Sequence, residues 1–159
     1  ITAIDPAKEN IKTALARQAK TGTNINYINS SLDKLGKKKK FSVICCLEVI
    51  EHVDNPNLFI QQIENYLKPK GILFLATINR TINSLIFAKF AAEYVVKWLP
   101  SGTHHWQKFL KPSELNGFLS KEMQINEITG IKYDLLNNCW KLSKDISQNY
   151  IMSLVKKSK

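Results

Sequence analysis

The sequence predicts an α/β fold built on a mostly parallel sheet with an antiparallel last strand. Three observations carry that expectation. Phe41 to Asn79 reads as an apolar strand, an amphipathic helix, a Lys-Pro-Lys-Gly turn and a second apolar strand, which is one βαβ unit. Ile1 to Lys20 reads as a short strand ending in Asp5 and then a helix, with another strand at Ile25 to Asn29. Near the other end, Glu127 to Tyr133 and Tyr150 to Val155 have no helix of length between them, so they read as a hairpin-like return on the sheet edge.

The length of 159 residues suits one domain with a real core. The composition, 44% hydrophobic and 23% charged, is that of an ordinary globular chain. Lys and Arg outnumber Asp and Glu by 23 to 13, giving a net charge of +10. Such an excess serves either a solvated lysine-rich surface or an anionic partner. No RNA-binding aromatic motif accompanies it, so nucleic acid is not expected. Cys45, Cys46 and Cys139 form no metal-type spacing, which predicts a reduced, cytoplasmic setting. No apolar run reaches the ~18 to 20 residues of a membrane span.

Taken in order, Ile1 to Ile4 form a strand and Pro6 opens the first helix, where its missing N–H would have had no partner. Asp5 lies between them. An acid at the end of the second strand of a nucleotide-binding sheet receives ribose hydroxyls; the same residue also caps helices well. Gly22 ends the helix. Ser30, Ser31, Leu32 and Asp33 follow the next strand, either as a resting place for a base on Leu32 or as a plain helix start. Lys37 to Lys40 read as a solvated loop or an anionic-surface contact.

Phe41 to Leu47 lack the alternation of a half-exposed strand, which predicts a parallel strand covered on both faces. Glu48, Glu51 and His52 follow at i, i+3 and i+4, a spacing that puts three ligand-type side chains on one side of a turn or helix. They suit Mg²⁺ through oxygens or Zn²⁺ with the imidazole. Without a metal, His52 reads as a general base and Glu51 as a buried, hydrogen-bonded acid. Asp54, Asn55 and Pro56 start a helix with Leu58, Phe59, Ile63, Tyr66 and Leu67 on its apolar side. Ile72 to Ile78 form the next strand, with Asn79 and Arg80 at its carboxyl edge, where a substrate would meet them.

Ser84 to Leu99 form a helix that is apolar over most of its girth, with Lys89, Glu93 and Lys97 on one stripe. Its sixteen residues reach only ~24 Å, short of a ~30 Å hydrocarbon core. It therefore reads as a lid, as a membrane-surface helix drawn to anionic lipid, or as both. Together with the loop carrying His104 and His105 it makes a helical insertion over about 82–110. Lys111 to Lys121 read as a helix with Pro112 in its first turn.

This succession resembles a class I S-adenosylmethionine-dependent methyltransferase, a Rossmann-like fold, from its second strand onward. Four segments, CLEVIEHVDNP, YLKPKGILFLATINRT, AAEYVVKWLPSGTHHWQKFLKPSEL and ITGIKYDLLNNCWKLS, are similar to the O-methyltransferases of ubiquinone biosynthesis. The resemblance implies methyl transfer from S-adenosylmethionine to a phenolic hydroxyl of a polyprenylated catechol. It implies cofactor binding by Asp5 and Leu47, and a divalent metal, Mg²⁺ foremost, at Glu48, Glu51 and His52. An anionic membrane surface and other ubiquinone biosynthesis proteins are the partners expected, at the inner face of the membrane. The family's first strand and its glycine-rich turn are not in this sequence. The chain is therefore expected to be a truncated part of such an enzyme, lacking the strand that would join its two parallel portions.

Overall fold

The computed structural model describes residues 1–36, 39–82, 84, 106–134 and 137–158. They form two compact units, Ile1–Lys39 and Lys40–Lys159. The helix expected at Ser84 to Leu99, apart from Ser84, and His104 and His105 lie outside the described residues, as do Lys37 and Lys38.

The first unit holds β1 (Thr2–Asp5), α1 (Lys8–Thr21) and β2 (Asn26–Asn29). β1 and β2 pair in parallel, with Asp5 opposite Asn29. α1 ends where Gly22 adopts φ 65° and its N–H donates to Gln18 O at 2.9 Å, a left-handed cap that glycine takes without steric cost.

The second unit holds β3 (Phe41–Leu47), α2 (Pro56–Tyr66), β4 (Leu67–Ile78), α3 (Pro112–Phe118), β5 (Met123–Asp134), β6 (Cys139–Ser143) and β7 (Asn149–Lys156). The sheet order is β3-β4-β7-β5-β6. β3, β4 and β5 run in one direction, and β7 and β6 run against them. β7 therefore does not return on the edge as expected. It enters between β4 and β5, and β6 takes the edge. Strand order of this kind is set by which faces and edges remain to be satisfied, and local patterning does not encode it.

α2 starts as its sequence predicts, with Pro56 in the first turn and Asn55 Oδ1 accepting from Leu58 N at 3.0 Å. Its buried side is Ile60, Ile63, Glu64 and Tyr66. Leu58, assigned to that side by spacing, is exposed. The Lys-Pro-Lys-Gly stretch does not separate helix from strand. It forms a bulge inside β4, with Leu67 opposite Phe41 and Ile72 opposite Val43. Lys70 turns the chain at φ 60°, and a side chain on Gly71 would meet Lys68 O at 2.8 Å.

One face of the five-stranded sheet carries Leu73, Leu75, Tyr150, Met152 and Leu154, all buried with Ile60, Ile63 and Leu115 in the core. α2 and α3 border that core: Glu64 Oε1 accepts from Ser120 N at 3.0 Å, and Lys156 Nζ donates to Glu64 O at 2.8 Å. β3 departs from expectation. Cys46 is buried, but Val43, Cys45 and Leu47 are exposed. Among the described residues β3 pairs only with β4.

Candidate active site

The carboxyl ends of β3 and β4 place most of the candidate residues. Leu47 lies opposite Ala76, and Glu48 N extends the ladder by donating to Ala76 O at 2.9 Å. The chain then breaks from the strand because Glu48 adopts φ 54°. That conformation costs a non-glycine residue on the order of 1–3 kcal/mol, and such residues cluster at functional sites. A single 3₁₀ turn, Ile50–His52, follows, anchored by the buried Ile50.

This turn sends its side chains in different directions. Glu51 is 3% exposed, and its Oε2 accepts from the hydroxyl of the buried Thr77 at 3.0 Å. Its Oε1 is also buried and has no hydrogen-bond partner. Glu48 keeps solvent contact, yet its carboxyl is pushed up from 4.5 to about 7, first by desolvation and then by the negative charge of Glu51 nearby. Burial, with Glu51 nearby, pushes the Cys46 thiol up to about 12.

His52 is exposed, next in the chain to a residue that turns into the core. Among the described residues no three His, Cys, Asp or Glu side chains converge to hold a metal ion. The trio expected from the sequence is thus corrected: Glu48 and Glu51 come together and His52 does not join them. Successive residues of a 3₁₀ turn project about 120° apart, so positions 51 and 52 cannot share a side. The remaining pair, with one buried oxygen lacking a donor, fits a hard, oxygen-liganded cation such as Mg²⁺ and does not fit a site completed by imidazole.

Asn79 and Arg80 are held by donors they direct at the protein itself, while Asn79 Oδ1 is buried without a partner. Asn79 Nδ2 donates to Ile146 O and its N–H to Gln148 O, both at 2.8 Å. Arg80 pairs with Glu114 and donates to Gln107 O at 3.3 Å. Trp106 Nε1 donates to Thr81 O at 3.0 Å. This polar knot fastens the end of β4 to α3 and to the loop before β7.

In the first unit, Asp5 and the Ser31–Leu32 stretch share the carboxyl edge of the β1–β2 pair, and Ser30 N donates to Asp5 O at 3.1 Å. Asp5 is not the N-cap of α1, which is Ala7, but it braces the turn before the helix: Oδ1 accepts from Ala7 N at 2.7 Å and Oδ2 from Asn10 Nδ2 at 2.9 Å. Ser31 and Leu32 are half-buried, and the Ser31 hydroxyl beside Asp33 lowers that carboxyl below its usual range. Thr77 is the site residue that spacing missed. Its signal is a lone hydroxyl within the apolar run of β4.

Residues 1–123 match the family described as "Methyltransferase domain". The chain is 44% identical to the ubiquinone biosynthesis O-methyltransferase of Rickettsia typhi, covering 99% of this chain and 64% of that protein. It is 41% identical to the protein of the same name from Pelagibacter ubique, covering 98% and 65%. It thus spans just under two thirds of these relatives' length. Two solved structures superpose with it. One is the N-methyltransferase NodS from Bradyrhizobium japonicum in complex with S-adenosyl-L-homocysteine (TM-score 0.64, 12% identity, 99% of this chain and 66% of that one). The other is magnesium protoporphyrin IX methyltransferase from Synechocystis, also with bound S-adenosyl-L-homocysteine (TM-score 0.67, 15% identity, 98% and 64%). From the family match, and with the class I methyltransferase fold these structures share, the chain belongs to the methyltransferase-domain family.

Proposed function

We propose that the chain serves S-adenosylmethionine-dependent O-methylation of a phenolic hydroxyl on a polyprenylated catechol in ubiquinone biosynthesis. The observation that carries this reading is identity of 41–44% over nearly the whole chain to relatives of that name. Asp5 receives the cofactor's ribose hydroxyls through the carboxylate lone pairs left after its two helix contacts. Within the first unit, Leu32 and Ser31 support the base; within the second, Leu47 at the end of β3 is the residue the resemblance assigns to the cofactor. Glu48 and Glu51 form the acceptor end.

The sulfonium is already an activated donor, so holding the phenol oxygen in line with the methyl is the main contribution of the protein. The phenolic proton passes to solvent water. The oxygen attacks the methyl carbon, the carbon–sulfur bond breaks, and S-adenosylhomocysteine leaves. Glu48 and Glu51 are the residues that would hold a divalent cation, and such a cation supplies Lewis acidity to the catechol oxygens. The net charge of +10 supports contact with the anionic inner face of the membrane, where a polyprenyl tail resides.

The test is incubation with methyl-labelled S-adenosylmethionine and a polyprenyl catechol, with calorimetry of cofactor binding alongside. Binding with a methyl ether product is the expected result. Cofactor binding without product overturns the acceptor assignment, and no binding overturns the reading for this chain.

A further inference from the structure

Thr77 is a buried hydroxyl in the stretch of β4 after the bulge, which is otherwise Ile72, Leu73, Phe74, Leu75, Ala76 and Ile78. Valine has nearly the same shape, suits a strand at least as well, and carries no polar group to desolvate. The hydroxyl therefore needs a reason, and its contact supplies one. It donates to Glu51 Oε2 at 3.0 Å, joining residues on separate elements inside the core. The two oxygens of a carboxylate lie in one rigid plane, so fixing one places the other. With Oε2 held, Oε1 is the buried carboxylate oxygen without a protein donor, and Glu48 is near enough for the Glu51 charge to act on its carboxyl.

We propose that Thr77 is a positioning residue for the acidic pair, orienting Glu51 so that Oε1 is kept for a bound cation shared with Glu48. The proposal rests on the reading of Glu48 and Glu51 as the acceptor end. Thr77 touches neither substrate nor cofactor; it acts through Glu51. A partner of this kind, one step removed from the metal, alters affinity when lost by tenfold to a hundredfold.

The experiment measures Mn²⁺ binding by electron paramagnetic resonance for the full chain and for Thr77→Val, Thr77→Ser and Glu48→Gln. Circular dichroism and thermal melts check that each variant folds. Thr77→Val is expected to bind Mn²⁺ at least tenfold more weakly, and Thr77→Ser, which restores the hydroxyl, within about threefold of the parent. Equal binding by parent and Thr77→Val overturns the proposal, as does equal weakness of Ser and Val. A second measurement does not depend on the metal: the Glu51 carboxyl ¹³C resonance at one fixed pH. It is expected to move in Thr77→Val and return in Thr77→Ser. If the parent binds no Mn²⁺, the cation reading of the pair fails. An unmoved resonance then overturns the role of Thr77, and a moved one sustains its hold on Glu51.

Discussion

The hydroxyl of Tyr150 donates to the carbonyl of Leu110 across 2.9 Å, with both residues buried. This bond secures the start of α3 to the strand at the middle of the sheet. Tyr150→Phe keeps the ring and leaves a buried carbonyl without a donor, at a cost of about 1–3 kcal/mol. Urea unfolding of the two proteins, compared at one pH, measures the loss.

Glu48 gives stability a pH dependence of defined sign. Its carboxyl is raised from 4.5 to about 7 in the folded chain, so between those values the folded state holds more proton than the unfolded one. Stability contributed by Glu48 therefore falls as pH rises through that window. Glu48→Gln removes this part of the slope. Denaturant midpoints at several pH values from 4.5 to 7.5 are expected to converge or cross for the two proteins, and parallel curves would reject the assignment.

Gly130 and Gly117 are expected to respond oppositely to alanine. A Cβ on Gly130 would fall 1.9 Å from Asp145 O, where backbone must move, so Gly130→Ala should cost about 3 kcal/mol or slightly less. Gly117 is within α3 and has nothing within 4 Å of the added carbon. Gly117→Ala should stabilise by about 0.5–1 kcal/mol, because alanine loses less backbone entropy in a helix. Thermal melts of the two single variants decide the signs.

Leu75 and Leu47 separate core from site. Leu75 is wholly buried, so Leu75→Ala should lose about 2–5 kcal/mol through its cavity. Leu47 is 51% exposed, and Leu47→Ala should stay within about 0.5 kcal/mol in stability. Its effect should fall instead on S-adenosylmethionine binding, read by calorimetry.

The elements were legible where one residue settles the local geometry. Pro56 and Asn55 started α2, Gly22 ended α1, and the apolar run from Phe41 gave β3. Burial of β3 was not legible, since an apolar run states what a strand tolerates and not which of its faces is covered. The acidic pair was visible in the spacing of Glu48 and Glu51. The separation of His52 was not, because the i, i+3, i+4 pattern assumes a continuous turn and Glu48 breaks it with a positive φ. Thr77 lies 26 residues from Glu51, beyond any local pattern.

The insertion of β7 between β4 and β5 also fixes a schedule for the chain. Ile72 finds Val155 across this ladder, roughly eighty positions later, and neither β4 nor β5 has its native neighbour on that side before β7 arrives. During synthesis α2, α3 and the β5–β6 hairpin can form as they emerge, whereas the five-stranded sheet stays open until β7 has left the ribosome. So long a wait between distant partners makes a slow folding step. It also leaves two strand edges available to other chains meanwhile, so the newly made protein is most prone to aggregate while β7 is still to come.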